Sequence, residues 1–243
     1  MPRFFVDPSK IGEGSLVIEG EDARHISYSL RMAVGDTVTV SDGEGTDYEC
    51  RLSEMDGETV RAEVLNTHPG TTESPAKIRL YMAFPKGDKL ETVVQKAVEL
   101  GAWEIVPFVS ERCVRRPEAA KAEKQTARLQ RIATEAAKQC GRSLLPRVGL
   151  PVSFAEMLRD TSELRLFCYE GEEAQSLKSV LSRLETTPAT VAVTVGSEGG
   201  FSPREAREAK DAGFFSVNLG PRILRCETAP DFALSALCYH LEL

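Results

Sequence analysis

The feature that most limits what this chain can fold into is a change of rhythm near residue 76. From Lys77 onward, apolar strand-like segments alternate with amphipathic helical ones, and that alternation predicts a parallel sheet covered by helices on both faces. Residues 78–84 read as an apolar strand. Asp88 then stands at a helix start with Glu91 three residues on, and Leu90, Val93, Val94, Ala97 and Val98 share one helical face before Gly101 stops it. Further strands are expected over 103–109, 164–169, 190–195 and 215–218. Pro117 opens a long basic helix whose Leu129, Ile132, Ala133 and Ala136 share a face up to Gly141, and another helix falls near 176–184. Ligands of open parallel sheets bind beyond the carboxyl ends of the strands, so chemistry is expected in the loops after Tyr169, Val195 and Leu219.

Before that change the chain reads differently. Short apolar or alternating runs at 3–6, 15–18, 37–41, 48–53 and 59–65, punctuated by Gly and Asp, predict five strands, with one short helix around 22–32. Five short strands and a helix suggest a small β-barrel. The segment 68–75 has no apolar periodicity and carries the boundary. The expected organisation is a first domain over 1–70, a linker over 71–76 and a second domain over 77–243.

The net charge of -7 at first argues against a nucleic-acid partner, because phosphate binding rests on Lys and Arg releasing counterions. Its distribution matters more than its sum. Residues 1–74 hold 6 basic and 15 acidic side chains, whereas residues 111–147 hold ten Lys or Arg against four Glu. That is a local basic surface on an acidic protein, although a solvated helix face laced with salt bridges would give the same pattern. Six scattered cysteines include no C-x-x-C pair and no zinc-like spacing, so they are expected to be reduced and structural, with no metal. No window resembles a membrane span and the first residues do not resemble a signal peptide, which makes the cytoplasm the expected location.

Two segments concentrate chemistry. In Gly196-Ser-Glu-Gly-Gly-Phe-Ser202 three glycines follow a strand, and Ser202-Pro203-Arg204-Glu205 has the capping-box pattern that starts a helix. Backbone can approach a ligand closely there, although a plain tight turn would look the same, and the spacing is neither a dinucleotide fingerprint nor a Walker A loop. The second segment, Leu219-Gly-Pro-Arg-Ile-Leu-Arg-Cys-Glu-Thr-Ala229, precedes an almost wholly apolar helix over 231–241 that must be buried in the core or in a subunit interface. Arg222, Arg225 and Glu227 would be costly beside it unless paired or facing a ligand; a structural Arg225–Glu227 pair is one alternative.

These two segments, together with Lys86-Gly-Asp-Lys-Leu-Glu, Lys96-Ala-Val-Glu-Leu-Gly and Arg131-Ile-Ala-Thr-Glu-Ala-Ala-Lys-Gln-Cys-Gly-Arg142, closely resemble the RsmE family of 16S ribosomal RNA methyltransferases along nearly the whole chain. Arg3-Phe-Phe, Arg24-His-Ile and Leu30-Arg31 resemble the same family's PUA-like, RNA-binding barrel. The resemblance implies a SPOUT domain with a C-terminal trefoil knot, a feature periodicity cannot reveal. It also implies S-adenosylmethionine held among three loops, at Glu170 and Gly171, at Gly196, Glu198, Gly199 and Gly200, and at Leu219, Gly220, Ile223, Leu224, Thr228 and Ala229. Ser197 and Cys226 depart from the family's usual Pro and Thr, each by a small residue.

The activity so implied is methylation of a uridine N3 in 16S rRNA of the small ribosomal subunit, an in-line displacement in which positioning dominates. Glu198 is expected to orient or deprotonate the base and Arg222 to stabilise charge developing on the uracil. RNA contacts are expected from Arg112, Arg115, Arg116 and Arg142, from Lys86 and Arg225, and from Arg3, Arg24 and Arg31 of the acidic barrel, whose footprint should be a narrow basic strip. A homodimer is expected through the last helix. A SPOUT methyltransferase with another RNA target, and a non-catalytic ribosome-assembly protein, are the competing functions; cofactor binding separates the second.

Overall fold

The computed structural model describes residues 1–117, 119–171 and 173–243, and resolves into two compact units, Met1–Glu73 with Ala137–Leu145, and Ser74–Ala136 with Pro146–Leu243. In the first unit, β1 (Arg3–Phe5), β2 (Ser15–Glu19), α1 (Glu21–Arg24), β3 (Thr37–Ser41), β4 (Thr46–Met55) and β5 (Thr59–Pro69) follow in order, and a π-helical turn, His25–Ser29, continues α1. The sheet order is β1-β3-β4-β5-β2, with β1 parallel to β3 and the other pairs antiparallel. It is a curled half-barrel with free edges at β1 and β2, not a closed ring. Period-two burial explains the curl: Leu16 and Ile18, Val38 and Val40, Cys50 and Leu52, and Val60 and Ala62 point inward onto Ala23 and Ile26. The β5 ladder runs on to Pro69, through residues whose sequence suggested a linker.

Residues 137–145 cluster with this unit although they lie in the middle of the later sequence. Glu73 explains why. Its carboxylate accepts from the Arg142 guanidinium at 2.6 Å and from the Ser143 and Leu144 amides at 3.0 Å each. Arg3 does the same work at the sheet edge, donating to Asp47 Oδ1 at 2.5 Å and Oδ2 at 3.0 Å, while Ser143 Oγ donates to Asp47 Oδ2 at 2.8 Å.

The second unit runs β6 (Lys77–Ala83), α2 (Lys89–Glu99), β7 (Ala102–Val109), α3 (Ala119–Cys140), β8 (Arg147–Val148), β9 (Val152–Ser153), α4 (Phe154–Met157), β10 (Leu164–Cys168), β11 (Gln175–Ser176), α5 (Leu177–Leu181), β12 (Thr190–Val195), α6 (Pro203–Asp211), β13 (Phe215–Asn218) and α7 (Thr228–Glu242). The last turn of α3 falls in the first unit's segment. The sheet order is β11-β13-β10-β12-β6-β7-β8, with β9 also on β7, and every pair is parallel. β12 and β6 are buried almost throughout because helices cover both faces. Gly101 and Gly141, at φ +81° and +80°, end α2 and α3 in the left-handed region that glycine enters cheaply. Asp88 is the N-cap of α2 by position but makes no side-chain capping bond, so the expected box does not form there.

Three neighbouring strands, β13, β10 and β12, end at one edge, so the loops after Asn218, Cys168 and Val195 leave the sheet side by side.

Candidate active site

Those three loops line one cavity of about 1280 Å³. A site for one small molecule spans roughly 300–1,000 Å³, so there is room for a cofactor and part of a second substrate. Each wall has a local cause. The β12 loop is a tight turn closed by the Gly200 amide on Ser197 O at 2.9 Å, and a Cβ at Gly196 would lie 3.1 Å from Gly200 Cα. Phe201 anchors its far end, with its ring centroid 4.1 Å from that of Phe167 on β10. Then comes the capping box of α6: Ser202 Oγ accepts from the Glu205 amide, and Glu205 Oε2 accepts from the Ser202 amide at 2.9 Å. The other oxygen of buried Glu205 accepts from the Glu111 amide at 2.7 Å, which ties the 110–112 turn to the loop. Arg112 from that turn donates to Gly199 O at 3.1 Å and closes the rim.

Charge is concentrated at one side of the cavity. Lys89 Nζ lies 3.2 Å from Glu198 Oε1 and 3.1 Å from Glu227 Oε2, and the Lys86 amide donates to Glu198 Oε1 at 3.1 Å. Burial works to raise the Glu198 carboxyl, but hydrogen bonds from its own amide and that of Lys86, together with Lys89, outweigh it and hold the group below the usual glutamate range. The Cys226 thiol donates to Glu227 at 3.1 Å, and this bond, with the Glu227 amide and Lys89, brings that carboxyl down to about 2. Burial, then the bond to Glu227, pushes the Cys226 thiol up to about 12, so it is a neutral donor.

The chemistry of this lining suits a sulfonium amino-acid nucleoside. Close-approach glycines at 196 and 199 expose backbone, the Glu198 and Glu170 carboxylates complement positive charge, and the buried Ser197 Oγ in the lining has no protein partner among the described residues.

The structure brings together most residues expected from sequence. Glu170, Gly171, Gly196, Glu198, Gly199, Gly200, Leu219, Gly220, Arg222, Ile223, Leu224, Arg225 and Ala229 all line the cavity. Thr228 does not; its amide bonds to Arg225 O as α7 begins. Arg222 and Arg225 are exposed rather than buried, and Glu227 pairs with Lys89, so the alternative Arg225–Glu227 pair gives way to a different ion pair.

Of the arginines expected to grip RNA, Arg3 and Arg142 are corrected. Arg142 is 4% exposed and committed to Glu73, and Arg3 to Asp47, so both are structural. Arg112 belongs to the cavity rim, Arg115 donates to Gly87 O at 2.6 Å, and Lys86, Arg116, Arg24 and Arg31 are exposed.

Lys89 is the residue that sequence reasoning passed over. A cation at the first position of a helix opposes the helix dipole, an unfavourable placement that could have flagged nearby carboxylates.

Residues 72–238 match the family model described as RNA methyltransferase domain, and residues 18–65 match the RNA methyltransferase PUA domain. A Bacillus subtilis relative named Ribosomal RNA small subunit methyltransferase E is 34% identical over 251 residues, covering 100% of this chain and 98% of the relative. The crystal structure of the protein of that name from Neisseria gonorrhoeae, bound to S-adenosyl methionine, aligns with TM-score 0.87 at 32% identity, over 98% of this chain and 97% of that one. A methyltransferase from Legionella pneumophila in complex with the cofactor SAM aligns with TM-score 0.86 at 31% identity, over 98% and 96%. Parallel sheet, half-barrel and three-loop cavity together define the class, an RNA methyltransferase with a PUA-type unit. Within that class, the chain belongs to the ribosomal RNA small subunit methyltransferase E family.

Proposed function

We propose that this protein transfers a methyl group from S-adenosylmethionine to N3 of a uridine in 16S rRNA of the small ribosomal subunit. The observation that carries the reading is the convergence of the β10, β12 and β13 loops on one cavity whose glycines, carboxylates and unpartnered Ser197 hydroxyl fit that cofactor. Bound there, the cofactor supplies an electrophilic methyl group on a sulfonium. The chain's own task is to hold the uracil in line with it and to exclude alternative geometries.

Glu198, ionised and braced by Lys89, is a weak base but a strong hydrogen-bond acceptor, so its role is to orient the N3–H edge rather than to store its proton. Arg222, exposed at the rim, can meet the negative charge that builds on the uracil oxygens. Exposed Lys86, Arg116 and Arg225, with Arg24 and Arg31 of the first unit, supply cations for phosphate contacts.

Three further parts belong to this reading. The first is a C-terminal trefoil knot through the three loops. The second is a homodimer through α7, supported by Phe232 and Tyr239, large apolar side chains that are 44% and 75% exposed on that helix. The third is a cytoplasmic location; among the described residues no helix is long and apolar enough to cross a membrane.

The test is transfer of labelled methyl from S-adenosylmethionine to small subunits lacking the modification, with mass-spectrometric mapping of the product. Label at N3 of one uridine is the expected result. Label elsewhere would change the target, and cofactor binding without transfer would favour an assembly role.

A further inference from the structure

A second cavity, of about 550 Å³, lies between the turn before α2 and the first half of α3, and nothing in the cofactor site uses it. Its lining carries Arg115, Lys121, Lys124, Arg128 and Arg131 against Asp88 and Glu91, an excess of three positive charges. The four α3 cations fall at spacings of three, four and three, so they form one stripe about 15 Å long on a single helix face.

A solvated helix face would space such cations with acids. Here the positions three and four residues to either side of Lys124 are Lys121, Ala127, Ala120 and Arg128, with no acid among them. Glu91 is taken by Arg128 at 2.8 Å, and Arg115 is fixed by Gly87 O. Lys124 and Arg131 are exposed and have no carboxylate partner among the described residues. Like charges at this spacing repel and weaken the helix, a cost that an external polyanion would offset.

The groove also adjoins the cofactor cavity through one turn. Gly87, Asp88, Leu90 and Glu91 line the groove, while Lys89 of the same turn lines the cavity.

We propose that this groove is a phosphate-backbone site for the RNA strand that flanks the target nucleotide, with Lys124 and Arg131 as its contacting cations. The assignment rests on the RNA-methylating reading above and extends it to residues outside the three loops. Phosphates held here fix the register of the strand, and the flipped nucleoside enters the neighbouring cavity.

The experiment compares full-length wild type with the K124E/R131E double variant. It measures affinity for a 16S rRNA fragment containing the target across a salt series, affinity for whole small subunits, and S-adenosylmethionine binding by calorimetry. The K124E change places a glutamate four residues before Arg128, which favours the helix, so loss of fold is not expected. The expected result is weaker binding to naked RNA and a log K against log salt slope flatter by about 1.4, from two lost contacts at ~0.7 each, with cofactor affinity unchanged.

An unchanged slope with wild type active would overturn the groove and leave the methylation reading intact. Loss of binding to whole subunits but not to naked RNA would overturn it in favour of an acidic protein partner. Wild type that neither binds nor methylates the RNA would overturn the underlying reading, and the groove with it.

Discussion

The ammonium of Lys89 reaches Glu198 at 3.2 Å and Glu227 at 3.1 Å, so one side chain at the start of α2 joins the loop after β12 to the segment that leads into α7. These groups are partly exposed, and such pairs contribute little to global stability. Their effect lies in placement. K89M is expected to lower kcat by about 10²-fold, the cost of a misplaced reacting group, while the melting temperature and cofactor affinity change much less. K89R, which keeps the charge and most of the reach, should recover part of the loss. Equal losses in kcat and cofactor affinity would make Lys89 a binding residue instead.

Glu198 makes a separate prediction about pH. Its carboxyl is held below the usual glutamate range, so it is fully ionised from pH 6 to 9 and contributes no inflection to kcat there. E198Q should reduce kcat without shifting the shape of the profile. A wild-type inflection within that window that disappears in E198Q would restore Glu198 as a general base.

Arg3 and Asp47 form a largely buried ion pair in the first unit. Asp47 is pushed up by burial, but hydrogen bonds from Arg3, Ser41 and Ser143 outweigh this and leave it lowered. A lowered acid contributes stability above its unfolded value, near 3.9, and loses that contribution as pH falls through its folded value. Urea midpoints are therefore expected to vary little on this account from pH 7 to about 5, then to fall, and R3A should cost about 3 kcal/mol at pH 7 by stranding the buried carboxylate. A stable R3A with weakened RNA binding would return Arg3 to the RNA surface.

Strand periodicity located β12 and β13 at their observed bounds, and Ser202 with Glu205 marked the start of α6, because such signals are local. Arg3 and Arg142 misled because their partners, Asp47 and Glu73, lie 44 and 69 residues away, and a basic side chain looks the same whether it meets a phosphate or a buried acid. Strands β8, β9 and β11 are two residues each, too short for periodicity to show. The glycine loop was legible as a turn, while its role needed the β10 and β13 loops beside it.

Gly196 tests that role directly. A Cβ there would sit 3.1 Å from Gly200 Cα and 3.2 Å from the Phe201 ring, and backbone cannot move aside as a flexible side chain does. G196A should displace the turn and weaken S-adenosylmethionine binding by roughly tenfold or more, about 1.4 kcal/mol, measured by calorimetry. G12A, at a glycine of the first unit outside the left-handed region, where a Cβ would meet only Ser15 O at an ordinary 3.5 Å, is the control. It should leave cofactor affinity unchanged.

The outer face of α7 supplies the last test. Pro230, Ala233, Leu234 and Leu237 pack inward, while Phe232 and Tyr239, seven residues apart and so on one face, stay exposed. Large apolar side chains repeated along one solvent-facing stripe mark an interaction surface. If that surface joins two copies, wild type should sediment as a dimer and F232E/Y239E as a monomer with a melting temperature close to that of an undimerised wild-type chain at high dilution. Ile223, 84% exposed and part of the lining of the three-loop cavity, lies in the segment that leads into this helix. Methyl transfer by the double variant should therefore fall along with dimerisation if a second copy covers that wall of the cavity. A monomeric wild type with full activity would remove the dimer from the mechanism.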